Sequence, residues 1–296
     1  MTDPIPPNRV FPAARQEAET AAQQTQSAQT EHDAYRLAFQ DMDFLLREDL
    51  RPVRFQLELL KPELLLDEAK IGSTFVFYGS ARIPEPDKAD ALISASATEE
   101  QRAVAERLKA KSKYYDEARR LAALASSAER DDQGWRHFVV CSGGGPSIME
   151  AANRGACDVG AESIGLNIVL PHEQLPNPYV TPHLSFQFHY FSLRKMHFLL
   201  RARAVAIFPG GFGTFDEGFE LLTLIQTGKI KPLPIVFFGR DFWERVVNFD
   251  ALVEEGVIAP DDLDLFRFVE TAEEAWAYVC ERYAAAAPEL GCADRG

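Results

Sequence analysis

Ala204-Val-Ala-Ile-Phe208, continuing as Pro209-Gly-Gly-Phe-Gly213 and then Thr214-Phe-Asp-Glu217, decides how the chain reads. An uninterrupted apolar run of this length has the form of a strand buried on both faces. The Pro-Gly-Gly-Phe-Gly segment punctuates it as a loop. From Thr214 to Thr227 the pattern reads as a helix. Buried strand, glycine loop and helix in that order form one half of a parallel βαβ unit.

Working outward, the same sentence recurs. Ser73-Thr-Phe-Val-Phe-Tyr-Gly-Ser80 reads as the first strand. His137-Phe-Val-Val-Cys141 is another, followed by the loop Ser142-Gly-Gly-Gly-Pro146 and a helix from Ser147 to Cys157 with Pro146 near its first turn. Ile164 to Leu170, the region Leu184 to Phe188 and Pro234-Ile-Val-Phe-Phe238 supply further strands. Phe191 to Arg201, the stretch from Asp241 and Ala272 to Ala285 supply helices. Val104, Leu108, Tyr115, Leu121, Leu124 and Ala125 read as one long amphipathic helix, with Pro84 to Glu100 a surface insertion. The expected fold is α/β: a Rossmann-like, doubly wound parallel sheet in a three-layer αβα arrangement, with an N-terminal helical arm.

The arm follows from a change in composition. Residues 1 to about 30 hold almost no large apolar side chains and read as a loose tail. From Ala34 to Leu66, apolar residues recur at helix-like spacing, with Pro52 and Pro62 expected to end or kink the helices. The domain division expected is thus residues 1–70 as tail and arm, and 71–296 as the Rossmann-like domain.

Three strand ends carry small residues: Gly79-Ser80-Ala81, Ser142-Gly143-Gly144-Gly145 and Gly210-Gly211-Phe212-Gly213-Thr214. Loops of this kind let backbone N–H groups approach an anion, and the following helix N-terminus adds a favourable dipole. Phosphate is the natural guest. Neither the GxGxxG dinucleotide spacing nor the GxxxxGK[ST] P-loop is present, which disfavours a nicotinamide oxidoreductase and a P-loop NTPase. With 31 Lys and Arg against 45 Asp and Glu, the net charge of −14 argues against duplex nucleic acid as a partner. Between 189 and 217, however, Arg194, Lys195, Arg201 and Arg203 outnumber Asp216 and Glu217. A basic pocket in an acidic protein suits a small anion. Four scattered cysteines, no apolar run of membrane length and no secretory start lead to the expectation of a cytoplasmic protein. The spacing of His, Asp and Cys offers no metal site, and no metal or other cofactor is expected.

Pro209-Gly-Gly-Phe-Gly-Thr-Phe-Asp-Glu217 fits PGGxGTxxE, and Ser192-Leu-Arg-Lys195 precedes it at a characteristic distance. On these residues, and on Gly143-Gly-Gly-Pro-Ser-Ile-Met-Glu150, residues 71 to 270 resemble the LOG family of phosphoribohydrolases, often labelled lysine decarboxylase-like. The long arm and the helical insertion before Trp135 depart from its short plant members. The resemblance implies hydrolysis of the N-glycosidic bond of a nucleoside 5′-monophosphate, AMP-like or a cytokinin riboside monophosphate, to free base and ribose 5-phosphate. It implies Glu217 and Arg194 as the catalytic pair: a carboxylate facing an oxocarbenium-like transition state, and a guanidinium that positions substrate or assists the leaving base. It also implies a homo-oligomer of at least two subunits. Arg194, His197 and Arg201 share one face of their helix by spacing.

The expected substrate-binding residues are Gly79, Ser80, Gly143, Gly144, Gly145, Glu150, Lys195, Gly210, Gly211, Gly213 and Thr214. Glu150 would accept ribose hydroxyls and Lys195 would contact phosphate or reach solvent. Asn167, Met196 and Pro171-His-Glu-Gln-Leu-Pro176 would shape the base pocket. Other readings stay open: a nucleotide or cofactor carrier without turnover, a deoxyribosyltransferase-like glycosyl transfer, and, least favoured, a pyridoxal phosphate enzyme using Lys195.

Overall fold

A computed structural model describes residues 11–128, 131–171 and 175–284. The chain divides between Leu57 and Glu58 into two compact units. In the first, α1 (Ala14–Ala21) lies within the stretch expected to be a loose tail. The Gln16 side chain accepts the Ala13 N–H at 3.1 Å and so satisfies one of the free donors at its start. After α2 (Met42–Leu45), capped by Asp41 through the Phe44 N–H at 3.0 Å, comes α3 (Arg51–Glu68), within which the division falls.

Pro52 occupies the first turn of α3, where a missing N–H costs nothing. Pro62 was expected to end or kink a helix, yet α3 runs on to Glu68. Proline leaves the carbonyl four residues earlier, that of Glu58, without its helical donor. His197 Nε2 donates to that carbonyl at 3.2 Å and replaces the lost bond.

The second unit holds β1 (Thr74–Tyr78), α4 (Pro86–Ser94), α5 (Glu99–Lys109), α6 (Lys113–Ala125), β2 (Val139–Ser142), α7 (Ile148–Asp158), β3 (Ile164–Ile168) and β4 (Ser185–Phe188). There follow α8 (Phe191–Leu200), β5 (Ala202–Ile207), α9 (Phe212–Gln226), β6 (Ile235–Phe238), α10 (Arg240–Val246), α11 (Phe249–Glu254), β7 (Arg267–Val269) and α12 (Ala272–Ala284). The single long helix read across Val104 and Ala125 is two. Tight turns through Lys111 and Ser112 separate α5, which packs on α4, from α6, which packs on α7 and α12. Of the apolar residues read as one stripe, Val104 on α5 is exposed, whereas Tyr115, Leu121 and Ala125 on α6 are buried.

The strands form one seven-stranded sheet in the order β4-β3-β2-β1-β5-β6-β7, and every pair is parallel. Phe75, Val76 and Phe77 of β1 and Val205, Ala206 and Ile207 of β5 are fully buried, as a sheet covered on both faces requires. Phe77, Phe208 and Phe238 stack in series across neighbouring strand ends, with centroids 6.2 Å and 4.2 Å apart. The expected α/β fold is the observed one. From β1 the chain winds outward to one side through β2, and β5 begins the other side. The crevice where the order reverses is where such sheets bind ligands.

Candidate active site

The loops after β1, β2 and β5 meet above that crevice. Ser80 N–H donates to the Pro209 carbonyl at 3.1 Å, tying the first loop to the third. They enclose a cavity of about 570 Å³ lined by Tyr78, Gly79, Ser80, Arg82, Gly143, Gly145, Met149, Asn167, Phe191, Arg194, Gly211, Gly213, Thr214 and Glu217, among others. Gly211 and Gly213 face open space, and α9 begins between them at Phe212, which is 98% exposed at the mouth.

Close approach explains the second glycine loop. A side chain at Gly143 would meet Arg194 Nη2 at 2.6 Å and Met149 Sδ at 2.8 Å, so only glycine lets the guanidinium pass. Gly144 adopts φ +71° and lies against Asn167 Oδ1, where a Cβ would come within 2.5 Å.

Arg194 and Glu217 come together from α8 and α9. Arg194 Nε donates to the Leu166 carbonyl at 2.7 Å, which fixes the plane of the fork, and Nη1 donates to Glu217 Oε1 at 3.3 Å. The guanidinium also lies 5.1 Å from the Phe198 ring centroid. Glu217 is desolvated, and burial pushes its carboxyl up to about 7; the Arg194 charge opposes that rise and Asp216 adds to it. Tyr78 packs edge-on against Phe198 and lines the same floor; burial, then the charge of Glu217, raise its phenol well above the ordinary value. Cys141, buried in β2, is raised by burial.

Of the expected binding residues, Gly79, Ser80, Gly143, Gly145, Gly211, Gly213 and Thr214 line the cavity with Arg194 and Glu217. The other four stand outside its lining. Gly210 packs beneath Thr214, and Gly144 faces Asn167. Glu150 accepts from the Tyr115 hydroxyl at 3.1 Å. Lys195 pairs with Asp216 at 3.2 Å and Glu220 at 3.3 Å. Burial alone would lower the Lys195 ammonium; the bonds to these two carboxylates outweigh it and hold it above the ordinary lysine value. An ammonium held that way is a poor nucleophile for a Schiff base.

His197 and Arg201 do not join Arg194 at the cavity; they bind α3. Glu58 accepts the backbone N–H groups of His189 and Tyr190 at 2.8 and 3.2 Å, a carboxylate at the positive end of α8. At the other end Arg201 donates to Glu63 and, at 2.8 Å, to Asp67. The stretch of α3 from Glu58 thus holds both ends of the helix that carries Arg194. Asn167 lines the cavity, Met196 is exposed elsewhere, and 172–174 of the expected base-pocket segment lie outside the described residues. Sequence reasoning missed Arg82 and Tyr78, whose only signal was position beside Gly79 and Ser80. Among the described residues no group of three or more His, Cys, Asp or Glu is placed to hold a metal ion, and no helix is long and apolar enough to cross a membrane.

The model of a family described as possible lysine decarboxylase matches residues 149–279. Over 140 residues the chain is 27% identical to the cytokinin riboside 5′-monophosphate phosphoribohydrolase LOG3 of Arabidopsis thaliana, a match covering 46% of this chain and 63% of that protein. Among solved structures, a Northeast Structural Genomics Consortium X-ray target aligns at 19% identity over 71% of this chain and 99% of its own, with a TM-score of 0.44. The molybdenum-cofactor carrier protein of Chlamydomonas reinhardtii aligns at 17% identity over 72% and 99%, with a TM-score of 0.41.

Proposed function

We propose that this chain, whose residues 149–279 match the possible lysine decarboxylase model, is a LOG-type enzyme that hydrolyses the N-glycosidic bond of a nucleoside 5′-monophosphate of AMP-like or cytokinin riboside type. Water adds to the anomeric carbon, the bond from that carbon to the base nitrogen breaks, and the products are free base and ribose 5-phosphate. The observation that carries this reading is the buried contact of Arg194 with Glu217 inside a cavity rimmed by glycine loops.

Backbone N–H groups at Gly211, Gly213 and Thr214, at the start of the fifteen-residue α9, suit the 5′-phosphate. Glu217 lies one turn further along the same helix, so an anchored phosphate brings the ribose toward its carboxylate. As a carboxylate it stabilises positive charge developing on the sugar and orients the attacking water. Arg194 holds that carboxylate in place and is available to the leaving base. Binding energy from the remote phosphate then serves the chemical step at the anomeric carbon.

The test is base release, followed by chromatography, from a panel of nucleoside 5′-monophosphates and the matching nucleosides. Release from monophosphates at a rate well above that from nucleosides is the expected result. Failure to release base from any monophosphate overturns the reading, and a new nucleotide formed on adding a second base replaces hydrolysis with transfer.

A further inference from the structure

We propose that Arg82 is the cation that binds the ligand's phosphate in this cavity, an inference that rests on the functional reading above and adds a recognition residue to it. The loop chemistry calls for a cation beside the backbone amides, and the structure removes the two evident candidates. Lys195 is engaged by Asp216 and Glu220 and does not line the cavity. Arg194 lines it, but its Nε and Nη1 are engaged by Leu166 and Glu217, which leaves only Nη2 for the leaving base. Its charge and that of an ionised Glu217 cancel, so the pair offers a phosphate dianion little net attraction.

Arg82 is different in both respects. Arg82 lines the same cavity as Gly143, Gly145, Gly211, Gly213 and Thr214. Among the described residues it has no carboxylate partner, whereas Arg119, Arg136, Arg154 and Arg201 of the same unit each hold one. In a chain with 45 acidic against 31 basic side chains, an arginine in a cavity without such a partner has its charge available for a ligand. Its backbone is also anchored, while the side chain is exposed at the cavity. The Arg82 N–H donates to Ser80 Oγ at 3.0 Å, and Ser80 N–H is bound in turn to Pro209, at the head of the third glycine loop. The Arg82 backbone is thereby held at the end of the central strand β1, next to the third glycine loop. A planar fork of donors suits two phosphate oxygens together, which an ammonium does less well.

Binding of ribose 5-phosphate, followed by calorimetry on the whole protein, tests the assignment with Arg82→Ala and Arg82→Lys beside the unaltered chain. Loss of the charge-assisted pair is expected to weaken binding about tenfold or more in Arg82→Ala, with Arg82→Lys intermediate. The difference between the variants should shrink as salt is raised, and with a nucleoside 5′-monophosphate as substrate KM should rise more than kcat falls. Equal affinity of Arg82→Ala and the unaltered protein overturns the assignment, as does failure of the unaltered protein to bind ribose 5-phosphate. Arg82-dependent binding without base release from any monophosphate leaves the phosphate site standing and overturns the hydrolytic function instead.

Discussion

Arg194–Glu217 and Lys195–Asp216 are neighbouring ion pairs between the same two helices, at 3.3 and 3.2 Å, and they differ in almost everything else. The first is shielded, its side chains 11% and 14% exposed; in the second the carboxylate is 56% exposed. One residue along a helix is about 100° of rotation, enough to turn one cation into the cavity and its neighbour toward water. In the shielded pair burial dominates and lifts Glu217 to about 7. In the open pair solvent screens the attraction and the contact is a weak strap. Similar separation therefore says little about what a pair does; the surrounding dielectric decides.

Glu217→Gln separates the two pairs most strongly. If the buried carboxylate stabilises the transition state, turnover of a nucleoside 5′-monophosphate should fall by about a thousandfold or more, as when a preorganised electrostatic group is removed. Ribose 5-phosphate binding should survive, because the glycine loops are untouched. The pH profile gives an independent check. The active form is the carboxylate, so kcat/KM of the unaltered protein should rise with pH and level off above about 7, following Glu217. A profile flat from pH 5 to 8 would remove Glu217 from the chemistry.

Arg194→Lys comes next. Lysine keeps the charge but cannot donate in the plane to Leu166 and at the same time to Glu217. We expect a loss of about a hundredfold in kcat/KM from the misplaced pair. Since the Arg194 charge lowers the Glu217 pKa, Arg194→Ala should move the rising limb of the profile to higher pH. A limb that stays in place would show that the two groups are not coupled.

The same carboxylate makes a stability prediction. Its folded value, about 7, lies above the ordinary 4.5. Between those pH values the folded chain holds a proton that the unfolded chain has released, so the contribution of Glu217 to stability falls as pH rises through that window. Above it, the ionised buried group is a cost. Glu217→Gln does not titrate, and its stability relative to the unaltered protein should improve between pH 5 and pH 8 by about 1–3 kcal/mol. Urea unfolding at the two pH values measures it, and a difference that does not change with pH would contradict the burial of Glu217.

These two pairs also mark how far the sequence could be read. The parallel strands were legible because a strand covered on both faces is a continuous apolar run, as in Phe75-Val-Phe77 and Val205-Ala-Ile207. The motif carrying Glu217, with Arg194 twenty-three residues before it, was legible through family resemblance, and the fold brings the two side chains together. Arg194 and Lys195 were harder to tell apart, since neighbouring cations on one short helix differ only in rotational phase. Arg82 was invisible, because a cation in a polar loop looks merely solvated, and only the fold places it at the cavity formed by the loops from three strands. Pro62 misled because the bond it forfeits inside α3 is replaced by His197, 135 residues away, a long-range contact that helix rules do not contain. The three-residue β7 is too short to leave a periodic signal.

The smallest effect tests the other half of the comparison. Lys195 binds Asp216 and Glu220 on the outer side of the α8 and α9 contact, and screened pairs of this kind are worth about 0–1 kcal/mol. Lys195→Ala should therefore cost less than about 1 kcal/mol in urea unfolding, with the loss shrinking further in high salt. Its effect on catalysis should be indirect. The Asp216 and Glu220 charges raise Glu217 and the Lys195 charge lowers it, so removing the ammonium should shift the rising limb of the pH profile slightly upward while leaving its height above pH 8 nearly intact. A collapse of turnover comparable to that of Glu217→Gln would mean that Lys195, not its buried neighbour, meets the substrate, and the distinction between the two pairs would be reversed.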